Sequence, residues 1–301
     1  MFKPAYHTQV ELLLDILGII KWDSCFALKG GTAINFFYAD LPRLSVDIDL
    51  VYLPIKLRAE AFTQMISEFK KYVALFNSLK MQAIHSNVSA SNPVGKIIVI
   101  RGPARVIIEP NIIVRGTILE SYQRELKQTA VQMFGKDVVA KCLSEKELYA
   151  GKLLAMMDRQ HPRDIFDMLV YLEKGGVIHE LMDIFIAYLL QTNRPFHELL
   201  APNFLDITLA YENAFAGMTF EPISLKKLLE TREMIFENVK ANFTDAHIKF
   251  LRSVLEEKPA WALLPFTNIN KLPGIQWKMQ NIAKMSLVKR NEQIKAIEKL
   301  V

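Results

Sequence analysis

The chain is 301 residues long, 51% hydrophobic and 23% charged. That suits two globular domains, or one large domain with an appendage, and excludes a disordered chain, a collagen-like fibre and a disulfide-braced scaffold. Its net charge of +5 is carried wholly by residues 271–301, where seven Lys or Arg face only Glu292 and Glu298. A basic end on a neutral body suits a polyanion partner; a solvated helix face is the plain alternative.

No stretch reaches the roughly eighteen uninterrupted apolar residues of a membrane span. The most apolar early stretch, residues 10–20, carries Glu11 and Asp15 and lacks a basic leader. It reads as part of an amphipathic helix over about 6–21, not as a secretory signal, and a cytoplasmic protein is expected. Cys25 and Cys142 lie far apart with no histidine pair near either, so reduced thiols are expected and a zinc site is not.

Residues 24–28 form a short predicted strand that ends in Lys29-Gly30-Gly31-Thr32. Helix-compatible residues 33–38 follow, which puts the glycines at a strand-to-helix turn. A loop with a rigid proline, Leu41-Pro42-Arg43-Leu44-Ser45, leads to Val46-Asp47-Ile48-Asp49-Leu50-Val51-Tyr52. This run alternates acids with aliphatics, as a strand with two chemically different faces does. A helix is predicted over 57–77, with Phe62, Met65, Ile66, Phe69 and Val73 on one face. Strands are predicted at 81–88, 96–100 and 105–109, with Gly102-Pro103 turning between the last two.

From about 144 the strand patterns stop. Ser144 and Glu147 read as a capping box opening a helix that runs to about Arg159. Pro162 breaks it and starts another over 163–172, closed by Gly175-Gly176. Helical segments fill the rest. The fold class is therefore α+β: an N-terminal domain with a small mixed sheet over residues 1–140 and an all-α C-terminal domain over residues 141–301.

Asp47 and Asp49, two apart on a strand, leave the same face about 7 Å apart. Such a pair repels unless a cation lies between, and Mg²⁺ takes one or two carboxylates plus substrate phosphates. An edge strand with a wet polar face is the bland alternative. Gly30 and Gly31 let backbone N–H groups at a helix start approach an anion, and Thr32 adds a hydroxyl donor. Glu109, near the end of its strand, is the candidate third acid, as metal ligand or as base for an attacking hydroxyl. Lys152 is placed to neutralise triphosphate charge. Arg159, Arg163, Asp164 and Asp167 follow it, with Arg163 and Asp167 spaced for a helical pair and Asp164 in a first turn, so structural roles would also explain them. The six histidines share no ligand spacing, and neither a Gly-x-Ser-x-Gly elbow nor a P-loop occurs.

Leu28-Lys29-Gly30-Gly31-Thr32-Ala33-Ile34-Asn35, then Leu41 to Leu50 with Ser45 two before Asp47, closely resembles the AbiEii/AbiGii toxin family, nucleotidyltransferases of type IV toxin–antitoxin systems related to the MenT toxins. The run Glu147…Lys152…Ala155…Arg159…Arg163-Asp164-Ile165-Phe166-Asp167 matches the family's second block. The resemblance implies a polymerase-β-like nucleotidyltransferase fold, an NTP and Mg²⁺, and NMP transfer with release of pyrophosphate. It implies that Gly30, Gly31, Thr32 and Ser45 hold the nucleotide, with Lys152 and Arg163, and that Asp47 and Asp49 hold the metal. Lys152 and the Asp164/Asp167 pair match a lysine and an aspartate needed for activity; Glu109 has no motif behind it. The implied acceptor is the 3′ end of tRNA, with a small-molecule or protein hydroxyl, or a non-catalytic nucleotide-binding module, as alternatives. An antitoxin would not be expected to bind directly.

Overall fold

Val10, Leu12, Leu13, Leu14, Ile16 and Leu17 crowd apolar surface onto nearly every side of one helix. In α1 (Pro4–Ile19) all six are fully shielded in the computed structural model, which describes residues 4–90 and 92–300. The expected amphipathic helix is thus a core helix. Asp15 is held by Arg101 at 2.7 Å and by Lys136.

The chain then alternates as read from its patterns: β1 (Phe26–Lys29), α2 (Gly30–Ala33) widening into a π-turn over Ile34–Tyr38, β2 (Asp47–Tyr52), α3 (Arg58–Ser78), β3 (Gln82–His85), β4 (Ile97–Arg101) and β5 (Ala104–Asn111). Three further elements, β6 (Tyr122–Glu125), α4 (Gln128–Phe134) and β7 (Val139–Cys142), carry no clear periodicity. All four residues of β6 are exposed, so no apolar alternation marks it. Pairing alone makes it a strand, with Tyr122 opposite Cys142 and Glu125 opposite Val139.

The seven strands form one mixed sheet in the order β3-β4-β5-β2-β1-β7-β6, parallel at β2–β5 and at β1–β7. Central β2 thus lies between β5 and β1. Helix α3 buries Ala61, Met65, Phe69, Tyr72 and Phe76, a stripe rotated from the expected one, which leaves Phe62, Ile66 and Val73 only partly shielded.

The chain divides into two compact units: residues up to 148 together with Ala216–Pro222, and Tyr149–Phe215 together with residues from 223 onward. The short returning segment closes on the loop before β2. Leu44 N donates to Met218 O at 2.8 Å, Phe220 N donates to Pro42 O at 3.1 Å, and Arg43 pairs with Thr219. The second unit is helical: α5 (Glu145–Arg159) carries the chain across the boundary, and α6 (Pro162–Glu173), α7 (Met182–Leu189), α8 (Phe196–Leu200), α9 (Thr208–Ala214), α10 (Leu225–Ala241), α11 (Asp245–Leu255), α12 (Pro273–Ala283) and α13 (Leu287–Glu298) follow. Among the described residues no helix is long and apolar enough to cross a membrane. Cys25 and Cys142 are buried free thiols.

The basic end is less uniformly solvated than its composition suggests. Lys271, Lys284, Lys289, Lys295 and Lys299 are exposed, whereas Arg290 pairs with Glu257. Lys278 is buried, donates to Arg194 O at 2.7 Å and sits 4.5 Å from the Phe196 ring centroid. Burial pushes its pKa from 10.5 down to about 8. Between those values the unfolded chain binds a proton that the folded chain has shed, so this group favours folding increasingly as pH rises through the window. Lys278→Met is therefore expected to flatten the rise of melting temperature between pH 8 and 10.5. An unchanged slope would clear Lys278 of that role.

Candidate active site

In β2 the aliphatic pair Ile48 and Leu50 is fully buried, while Asp47 and Asp49 leave the other face, both partly exposed. Antiparallel pairing sets Asp49 opposite Lys29, one residue before the glycines. Gly30 opens α2 with φ +71°, a left-handed conformation that glycine adopts without penalty. A Cβ added there would overlap Asp49 Oδ2. The Asp49 carboxylate therefore lies directly against the glycine bend, in space that any other residue would fill.

Gly31 is needed for a different neighbour. Its added Cβ would stand 2.6 Å from Arg43 Nη2 and 3.1 Å from Ser45 Oγ. Arg43 is only 2% exposed and donates from Nη1 to Leu44 O at 2.9 Å. This buried guanidinium beside the bend is absent from the residues singled out by motif. Its signal was an arginine in the loop immediately before an acidic strand, closed over by residues 216–222, which no local pattern connects to it.

Thr32 departs from expectation. Its hydroxyl is 2.6 Å from the Asp47 carbonyl oxygen and 2.9 Å from Ser45 Oγ. A carbonyl only accepts, so the one Thr32 proton goes to Asp47 O, and the Ser45 contact draws on the Ser45 proton. Buried at 1% exposure, Thr32 ties α2 to the start of β2 instead of presenting its proton to a phosphate. Ser45 is likewise buried in this link.

Glu109 is level with Asp49 on the neighbouring parallel strand, so both side chains leave the same face. Its carboxylate, half exposed, pairs with Lys96 at 3.0 Å. Among the described residues no three His, Cys, Asp or Glu side chains group closely enough to hold a metal, so Glu109 does not complete a three-acid set with Asp47 and Asp49. Two carboxylates on one open strand face, with a side-chain-free bend beside them, do fit Mg²⁺, which takes its remaining ligands from substrate phosphates and water.

The second unit gathers the other motif residues. Lys152, expected to face a ligand, is only 8% exposed and lies 2.8 Å from Asp164 Oδ1 and 3.1 Å from Asp167 Oδ2. Lys152 thus ties Asp167 and Asp164 of α6 to α5. Arg159 approaches Asp164 with Nε at 2.6 Å and Nη2 at 3.0 Å. Burial alone would raise the Asp164 carboxyl; the Lys152 charge and the Arg159 hydrogen bond outweigh it and hold the group well below the usual carboxylate range. His161 Nδ1 accepts from Arg163 N at 3.1 Å and caps α6. Arg163, which follows Pro162 in the first turn, is half-buried. Glu147, the expected capping-box acid, donates its N–H to Ser144 Oγ, while its buried carboxylate accepts from the Ile118 and Leu119 N–H groups.

Gly30, Gly31, Thr32, Ser45, Asp47 and Asp49 thus form one cluster in the first unit, and Lys152, Asp164 and Asp167 another in the second. No curated protein matches the sequence. The chain shares its fold with MenT4, a nucleotidyltransferase toxin from Mycobacterium tuberculosis H37Rv, at 13% identity and a TM-score of 0.60, over 99% of this chain and 95% of that one. The family described as nucleotidyl transferase AbiEii toxin, type IV TA system, matches residues 11–281. With nearly its whole length matched, the chain belongs to the AbiEii nucleotidyltransferase toxin family.

Proposed function

We propose that this nucleotidyltransferase moves an NMP from an NTP to the 3′-terminal hydroxyl of a tRNA, with Mg²⁺ held by Asp47 and Asp49. The carrying observation is the Asp49 carboxylate packed against Gly30 at the start of α2. A metal-binding acid and a helix-start phosphate seat occupy adjoining ground there. Backbone N–H groups at Gly30 and Gly31 hold the triphosphate; Thr32 and Ser45 fix the bend against β2. A bond forms between the acceptor oxygen and the α-phosphorus while the α-phosphorus to pyrophosphate oxygen bond breaks, and the proton of the acceptor hydroxyl passes to solvent. When bound, Mg²⁺ supplies Lewis-acid stabilisation of charge on the phosphate oxygens.

In the second unit, Lys152 is proposed as an essential cation whose ammonium Asp164 and Asp167 position, with Arg163 as a nucleotide contact. Glu109, engaged by Lys96, is assigned no step. Five exposed lysines between 271 and 299 favour a polyanionic acceptor over a small one. The test is incubation with each α-labelled NTP, Mg²⁺ and total tRNA, and label is expected at tRNA 3′ ends. Label on a small hydroxyl compound or a protein, and never on RNA, would overturn the tRNA assignment.

Gly30→Ala separates the bend from the acid. The left-handed backbone costs about 1–2 kcal/mol with a Cβ, and the new methyl displaces Asp49 Oδ2. Transfer is expected to fall by about a hundredfold, far more than the modest drop in melting temperature accounts for. Activity near wild type would show that Asp49 does not need this seat.

A further inference from the structure

Arg115 is a buried charge with nothing to neutralise it. It is 6% exposed, its Nε and Nη1 are sealed from solvent without an acceptor, and it makes no ion pair among the described residues. Its guanidinium lies over the Phe62 ring, 5.5 Å from the centroid, and the Arg58 guanidinium lies over the same ring at 5.1 Å. After burial itself, the nearby Arg58 charge is the chief influence lowering the Arg115 affinity for its proton. Arg58 opens the 21-residue helix α3, whose N-cap Leu57 offers no side-chain cap, so the positive end of the helix adds to the same field. Glu60 is the one acid in that first turn, and it is exposed. A hydrogen bond from Gly116 N to Tyr52 O at 2.7 Å anchors the neighbouring backbone to the end of β2.

A buried unpaired cation destabilises a fold, and it persists where a ligand completes it. The planar guanidinium fork matches a phosphate with paired N–H donors, and a second guanidinium over the same ring adds positive charge beside it. We propose that Arg115 and Arg58, arranged around Phe62 at the start of α3, form a phosphate-binding site at the end of β2 opposite to the start that carries Asp47. It stands independently of the transfer reaction. The phosphate belongs either to a free anion or to the backbone of a bound RNA strand.

The test compares wild type, Arg115→Met and Arg58→Gln without Mg²⁺ at fixed ionic strength. Thermal melting is followed against millimolar inorganic phosphate, and fluorescence anisotropy against a labelled single-stranded RNA. Phosphate is expected to raise the wild-type melting temperature and to lose affinity about tenfold or more in each variant, the loss of one charged hydrogen bond. RNA affinity falling in parallel, with phosphate competing, identifies the strand backbone as the source; phosphate alone affected identifies a free anion. Arg115→Met removes an unpaired buried charge and is expected to fold, and exposed Arg58→Gln guards against its failing to. Both ligands binding all three proteins equally, or neither binding wild type, would overturn the site.

Discussion

Asp49→Asn is expected to cut NMP transfer by about a thousandfold, with the melting temperature moving by no more than a degree or two. The substitution keeps the shape that packs against Gly30 and removes the charge, so the packing of the bend is preserved. The reaction is not, because a neutral amide is a poor ligand for Mg²⁺ and leaves the phosphate charge of the transition state uncompensated. Labelled-NMP transfer and thermal melting on the same preparation separate the two effects. Growth of cells expressing wild type or Asp49→Ala extends the comparison, with toxicity expected only from the former. Transfer surviving in Asp49→Asn would remove the acid pair from the centre of the chemistry.

Lys152→Met is expected to be the most destabilising single change, by about 3–5 kcal/mol, since it takes the shared buried cation from the fully buried Asp164 and the nearly buried Asp167. The stabilisation that Asp164 supplies is present above its ordinary value of 3.8 and is lost as pH falls below it. In the variant one of the two cations that depress Asp164 is gone, so acid unfolding is expected to begin at higher pH. Adding Asp167→Asn removes one buried charge that has lost Lys152 and leaves Asp164 its paired contact with Arg159, so Lys152→Met/Asp167→Asn is expected to regain roughly half of the lost stability. Chemical denaturation of the single and double variants measures this. If the double variant folds and still fails to transfer NMP, the loss belongs to the reaction and not to the fold. If Lys152→Met alone melts like wild type, the buried network is not the support that its geometry describes.

Much of the candidate site was legible before folding is considered, because its logic is local. Two glycines after a short apolar strand announce a bend where backbone must be approached closely, and Gly30 does adopt positive φ against a carboxylate. Alternation of acids with aliphatics in 47–50 sets the two faces of β2, since side-chain direction in a strand follows from position alone. The pattern marks Glu109 as an acid near the end of a strand, but neither its level with Asp49 nor its Lys96 partner, because no spacing rule connects two strands across a turn.

What the amino-acid order determined by itself is the kind and sequence of elements: the α+β half, the helical half and the glycine bend before the acidic strand. Tertiary structure alone decided which polar groups are spoken for. Arg43 became part of the site because residues 216–222 return to clasp its loop, Thr32 was drawn into a bond with Asp47 O, and Lys152 and Lys278 went inside despite their charge. The reason is one of range. Periodicity and turn chemistry act over a few residues and can be read along the chain, whereas burial of a charge is settled by partners many residues away, whose identity exists only once the chain has closed on itself.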